Sequence, residues 1–239
     1  MVFGELAELA ELLAGEGSKL KKRAAIAAAV LRAASESPAE AGRFCLYLAG
    51  QPFAEADPRK LNAGGAILSR VVKEISGATD AALGAAYRHH GDLGAAAADL
   101  LTALLAADPS GVAHPRSPAV PSTLTDVAEA FDTMARARST AARAAAVESL
   151  LRRSTPLEAK YLLKLMLGDM RIGVKQSLVE EAIAEAATAA GSPAEVAAVR
   201  HAVMLEADLS RAAERAFAGT LHQARMRLFH PLGFMLAAP

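Results

Sequence analysis

Three times along this chain a hydroxyl residue is followed by proline, one small or apolar residue, and glutamate. The strings are Ser37-Pro38-Ala39-Glu40, Thr155-Pro156-Leu157-Glu158 and Ser192-Pro193-Ala194-Glu195. Each reads as the start of a helix. The hydroxyl accepts from an early main-chain N–H, proline sits where no N–H is needed, and glutamate reaches back to the cap. Two of these starts belong to a longer internal match. Leu6-Ala7-Glu8, Glu11, Leu13-Ala14 and Ser18 line up with Val127-Ala128-Glu129, Asp132, Met134-Ala135 and Ser139. Further on, Ser37-Pro38-x-Glu40-Ala41 and Gly50 line up with Thr155-Pro156-x-Glu158-Ala159 and Gly168. After that point Gly64-Gly65 and Gly173 each precede an apolar helical stretch, the first copy holding an extra loop around Pro52–Pro58. Two copies are too few for a solenoid.

The expected fold is therefore all-α: one compact multi-helix domain, residues 1–239, made of two pseudo-symmetric helical halves. The first half covers about 1–108 and the second about 123–220. Between them, residues 109–122 hold Pro109, Gly111, Pro115, Pro118 and Pro121 and cannot form a helix. That join reads as an ordered surface strap, the other reading being a flexible linker. Composition agrees with helices: 53% of residues are apolar, mostly Ala, Leu and Val, while aromatics are 4% and Trp is absent.

Lys and Arg number 26, as do Asp and Glu, so the net charge is zero. The distribution is uneven. Residues 18–34 hold Lys19, Lys21, Lys22, Arg23 and Arg32 and no acid, and residues 136–175 hold nine basic residues against Glu148, Glu158 and Asp169. Such segregation lets a neutral molecule bind phosphates on one face, although charge runs are more often solvated faces. Glu5, Glu8 and Glu11 near the start argue against a secretory leader. No apolar run is long enough for a membrane span. Cys45 is the sole cysteine, which excludes an internal disulfide and a thiolate cage and fits a reducing cytoplasmic setting.

No catalytic motif is present: no phosphate-binding loop ending in Lys-Ser/Thr, no His-Glu-x-x-His, no Gly-x-Ser-x-Gly. His89 and His90 are adjacent, so on a helix they diverge; they read as exposed residues ahead of a turn at Gly91-Asp92. The informative stretch runs from Tyr161 to Val179. A nearly all-apolar helix turns through Gly168 and Gly173, with Arg171 between them, and a second helix opens near Lys175-Gln176-Ser177. Glycine allows close approach of a ligand to the backbone, and a helix start offers unpaired N–H groups to an anion. These are the parts of a phosphate-backbone clamp. Spacing alone favours an ordinary helix–helix turn closed by a glycine cap. Gly64, Gly65 and Arg70 hold the matching place in the first half. Ser139 and Thr140, between Arg138 and Arg143, read first as a helix cap and second as a phosphate contact. No aromatic residues interleave with the basic ones, so stacking on single-stranded bases is not expected.

At this stretch the chain resembles a known family. Leu157-Glu158-Ala159-Lys160-Tyr161-Leu162 and Leu167-Gly168-Asp169-Met170-Arg171-Ile172-Gly173 are similar to the E-A-R-Y-L…L-G-D-L-R-I-G signature in the N-terminal domain of ATP-dependent DNA ligases of the archaeal and eukaryotic replicative type. Phe3, Leu13 and Ser18 resemble that domain's opening helix, and Gly91-Asp92-Leu93-Gly94 its G-D-L-G turn. Pro231-Leu232-Gly233-Phe234-Met235-Leu236-Ala237 resembles the segment leading to an adenylation domain, with Phe234 where the family usually has proline. The resemblance implies sequence-independent binding of nicked double-stranded DNA in the minor groove. It implies a monomer that works beside adenylation and OB domains, in replication and repair on the nucleoid. ATP and Mg would belong to those domains; this chain has no Lys-x-Asp-Gly motif and is expected to bind no cofactor and to be inactive alone. The expected DNA contacts are Gly168, Arg171, Gly173, Lys175, Gln176 and Ser177, with Gly64, Gly65, Arg70, Ser139 and Thr140. A helical protein-interaction scaffold is the rival reading.

Overall fold

A computed structural model of the chain describes residues 1–107, 121–226, 228, 232 and 233. Most of the proline-rich join and most of the Pro231–Ala237 segment lie outside the described residues. Among those described there are twelve α-helices, a short 3₁₀ turn at Leu221–Gln223 and no strand, so the chain is all-α. In order the helices are α1 (Phe3–Gly15), α2 (Lys19–Glu36), α3 (Pro38–Leu48), α4 (Gly65–Ser76), α5 (Asp80–His90) and α6 (Leu93–Ala107). There follow α7 (Leu124–Arg136), α8 (Thr140–Arg152), α9 (Pro156–Leu167), α10 (Gln176–Ala189), α11 (Val196–Glu206) and α12 (Leu209–Phe217). Among the described residues no helix is long and apolar enough to cross a membrane.

Two of the three Pro-Glu strings open a helix at the expected place, and one of them forms the full reciprocal box. The Ser37 and Thr155 hydroxyls accept from the N–H groups of Glu40 and Glu158, and Thr155 completes a reciprocal box with Glu158. The third does not. α11 begins only at Val196, with Glu195 as its cap residue. Gly191 turns the chain at φ +85°, and the Ser192 hydroxyl donates instead to the Ala216 carbonyl at 2.7 Å. A distant acceptor outcompetes the local cap. A further reciprocal box, Thr123 with Asp126, opens α7.

The helices group into two compact units. One consists of Met1, Leu9–Arg59 and Arg171–Pro239; the other of Val2–Glu8 and Lys60–Met170. The first thus holds α2, α3, α10, α11 and α12, the second α4 to α9, and α1 is divided between them. Each unit joins the front of one sequence copy to the back of the other. In the first unit α3 packs on α12 and α2 on α10; in the second the counterparts α9 and α6, and α8 and α4, pack likewise.

The α3–α12 and α9–α6 crossings bring main chains into contact, and each needs one glycine. A Cβ on Gly42 of α3 would lie 2.6 Å from the Ser210 carbonyl oxygen of α12. In the other unit the α9 counterpart of Gly42 is Lys160, and the small residue is Gly94 of α6, where a Cβ would overlap the Lys160 carbonyl oxygen. The glycine has changed sides of the crossing while the close approach is kept. The crossing helices carry some of the largest buried side chains, including Phe44, Tyr47 and Leu48 in one unit and Tyr161 and Leu101 in the other.

Helices α6 and α12 also begin alike, each behind an aspartate cap and a left-handed residue, Gly91 at φ +66° and Ala207 at φ +46°. Asp92 accepts from the N–H groups of Gly94 and Ala95 and pairs with the buried Lys164 ammonium at 2.7 Å. Burial alone would raise its pKa, but Lys164 and the two N–H groups outweigh that and hold it below the ordinary value. Asp208 caps α12 through the Arg211 N–H. There burial wins over the N–H groups of Arg211 and Ser210, and its pKa is raised.

Two predictions follow from these pairs. Gly42→Ala and Gly94→Ala should each lower the urea midpoint, by about 3 kcal/mol in stability, whereas Gly65→Ala, with open space around its Cβ, should change it by less than about 1 kcal/mol. Asp92→Asn and Asp208→Asn should act in opposite directions. A depressed carboxyl stabilises the fold above its ordinary value of 3.8 and stops doing so as pH falls through the depressed pKa. A raised one stabilises at low pH and loses that contribution as pH rises through the raised pKa. At pH 7 Asp92→Asn should therefore cost about 3 kcal/mol by orphaning buried Lys164, the deficit shrinking in acid. Asp208→Asn, which keeps a capping oxygen, should be neutral or stabilising in the same urea titrations.

Candidate nucleic-acid interface

In the first unit α2 and α10 run parallel. Lys19 pairs with Glu181 at 3.3 Å, and Arg23, one turn on, pairs with Glu185, one turn on, at 2.8 Å. The two helices accordingly open at the same end. Ser18 caps α2, its hydroxyl accepting from the Lys21 N–H at 3.4 Å. Lys175 occupies the cap position of α10 with no side-chain hydrogen bond to the helix start. Two helix dipoles thus present their positive ends together, each equivalent to roughly half a charge. The Glu16 carboxylate stands before α2 and accepts from the Ser18 N–H at 2.8 Å; that bond above all holds its pKa below the ordinary range.

The turn into α10 carries five of the expected contacts into one place: Arg171, Gly173, Lys175, Gln176 and Ser177. Arg171 is exposed and sits at φ +51°, a left-handed conformation uncommon for a residue with a Cβ. Gly173 follows at φ +62°. Lys175 and Ser177 are exposed. Gln176 is not: its Oε1 accepts from Gln51 at 3.0 Å and its Nε2 donates to Glu180 at 3.0 Å. The buried Glu180 accepts in turn from Arg200 at 3.3 Å. Gln176 therefore anchors the start of α10 to the end of α3 and to α11.

The remaining expected residues lie in the second unit. Gly168 ends α9 at φ +76°, its N–H returning to Leu165, the glycine cap that spacing alone favours over a ligand role. Gly64 caps α4 and Gly65 begins it, both exposed with no atom within 4 Å of a built Cβ. Arg70 lies a turn and a half further on and pairs with Glu74 at 3.5 Å. Ser139 caps α8, accepting from the Ala142 N–H at 3.1 Å, and Thr140 is the first residue of that helix; both are exposed. Since α4 packs on α8, this unit repeats the pairing of α10 with α2. Asn62, at φ +50° ahead of α4, stands where Gly173 stands ahead of α10.

The basic run in α2 is largely a solvated face, Lys19 and Lys21 being exposed, with Lys22 as the exception. Lys19 and Arg23 pair with acids of α10, and Lys21 lies 3.8 Å from Glu16. Lys22 is buried, and its ammonium donates to the Ile172 carbonyl at 2.8 Å and the Gly173 carbonyl at 3.3 Å. Sequence reasoning missed Lys22, Gln51 and Glu180. For Lys22 a signal existed: it falls in helical register with Ile26, Ala29, Val30 and Ala33, the buried face of α2. For Gln51 and Glu180 none did, because their partner is distant in sequence.

Residues 2–184 match the family described as DNA ligase N terminus. Among curated relatives, a probable DNA ligase of Koribacter versatilis is 43% identical over 98% of this chain and 37% of its own length. A probable DNA ligase of Opitutus terrae is 36% identical over 99% of this chain and 25% of its own. A DNA ligase of Methanopyrus kandleri is 32% identical over 78% of this chain and 32% of its own. The chain thus spans between a quarter and about two fifths of the length of these relatives. The resemblance seen at Leu157–Gly173 extends through most of the sequence, and the chain belongs to the DNA ligase N-terminus family.

Proposed function

We infer that this chain is the DNA-binding domain of an ATP-dependent DNA ligase and holds nicked duplex by its phosphates without reading base sequence. The observation that carries the reading is the parallel pairing of α2 and α10, which open together around the Arg171–Ser177 turn. Exposed N–H groups and the cations of Arg171 and Lys175 suit phosphate oxygens, which position a protein on DNA but carry no sequence information. The α4–α8 pairing, with Gly64, Gly65, Arg70, Ser139 and Thr140, offers a second set of the same kind. Gly168 serves the reading as the turn that delivers Arg171. Gln176 serves it as an anchor for α10. The ligase names of the relatives support a role in strand joining, with ATP, Mg and the adenylation and OB domains supplied outside these residues.

Salt titration of binding to a nicked duplex tests this. Affinity should fall linearly on a log–log plot, with a slope of about −0.9 per phosphate neutralised, and scrambling the base sequence should leave it unchanged. Arg171→Gly and Lys175→Ala should each make the slope shallower by about 0.9. Arg171→Gly should do so with stability within about 1 kcal/mol of the parent, because glycine accepts the left-handed conformation at that position. No binding at low salt, or binding indifferent to salt, would overturn the reading in favour of a protein-interaction scaffold.

A further inference from the structure

Lys22 stands one turn inside α2, and its ammonium reaches the turn that leads into α10. A lysine so buried is tolerated only where acceptors meet its charge. The Ile172 and Gly173 carbonyls meet it. The peptide bond is planar and trans, so each carbonyl points opposite to the N–H of the next residue. Drawing the Ile172 and Gly173 carbonyls toward Lys22 therefore turns the Gly173 and Val174 N–H groups away from it. Among the described residues neither of these N–H groups has a protein acceptor. Two consecutive N–H groups aimed the same way make a concave site for an anionic oxygen. Gly173 sits at φ +62°, which favours glycine, and a Cβ there would lie 2.7 Å from the Lys22 Nζ and displace that flexible end.

We propose that Lys22 is a positioning residue for phosphate binding, holding the Gly173 and Val174 N–H groups outward beside Arg171 and Lys175 without touching DNA itself. The proposal rests on the duplex-binding reading above. The second unit does not copy the device. Arg143, four residues after the Ser139 cap as Lys22 is after Ser18, donates to the Met134 and Ala137 carbonyls at the end of α7.

The experiment compares the 239-residue chain with Lys22→Met, which keeps the aliphatic bulk and removes the donors, and Gly173→Ala, which keeps Lys22 and pushes its ammonium aside. Each is measured for nicked-duplex affinity across a salt series and for ¹⁵N order parameters of Gly173 and Val174 without DNA. Both variants should bind roughly tenfold more weakly at every salt concentration, the scale of one charge-assisted hydrogen bond. Their salt slopes should match the parent's, since no phosphate-contacting cation is removed. The two order parameters should drop from about 0.85 toward 0.6 or less. Unchanged affinity and order parameters in Lys22→Met would overturn the proposal. So would a slope shallower by about 0.9 with rigid amides, which would make Lys22 a direct phosphate contact. If Lys22→Met does not fold, Gly173→Ala decides alone by the same two readouts. A parent chain that fails to bind duplex overturns the DNA reading and this role with it, while the order parameters still report separately whether Lys22 holds the turn.

Discussion

Main-chain contact at the α3–α12 crossing is the constraint on which the first unit's candidate site depends. Gly42 lets α12 settle against α3 at the Ser210 carbonyl, and no residue with a side chain fits there unless a neighbour moves. Seating α3 fixes the residue that leaves it. Gln51 lies just past the helix and bonds Gln176, which bonds Glu180, which bonds Arg200. A packing contact deep in the unit is thereby connected, through Gln51, to Gln176 in the first turn of α10, and the chain of bonds goes on through Glu180 to Arg200 of α11. The α9–α6 crossing reaches the same closeness with the glycine on the opposite helix, so the geometry of the crossing and not the position of the glycine is what the two copies share.

Charge is managed economically. The chain is neutral overall, and much of its basic content faces its own acids: Lys19 and Arg23 against Glu181 and Glu185, Lys164 against Asp92, Arg215 bidentate on Glu206. Surface pairs of the first kind are worth little to stability. Their effect is on the field: they cancel positive potential along α2 and α10 and leave it at the helix starts, where the dipoles and Lys175 add. A modest number of cations can thus be concentrated at the helix starts.

The helical class, several helix starts and the turn at 168–175 were legible in the sequence, because capping chemistry and apolar periodicity are local. The Thr155 box and the α10 start at Gln176 stand where local rules put them. Ser192 is not where a local rule puts it, since its hydroxyl finds a carbonyl 24 residues away. The family resemblance pointed to the Arg171–Ser177 turn but said nothing of what holds it. Lys22 read as one more cation in a basic run, and only the fold reveals that it lies 150 residues from its acceptor. Asp92 and Asp208 match in sequence and capping role, yet their pKa values are shifted in opposite directions, because Asp92 faces a buried ammonium while burial dominates at Asp208.

The exchange of halves between the two sequence copies sets an order of assembly during synthesis. Nearly all of the second unit lies in one continuous run, Lys60–Met170, so its helices can close on one another once that run has left the ribosome. The first unit must wait. Its α2 and α3 emerge early, but the surfaces they bury against belong to α10 and α12, more than a hundred residues later. Joining such distant segments carries a loop-closure cost that grows with the logarithm of the intervening length, and contacts of that range slow folding. An already folded second unit shortens the effective loop. The turn that begins at Gly168 leaves the part that folds early and, from Arg171 onward, enters the part that must wait. The Arg171–Ser177 turn is thus among the last segments to take its final form.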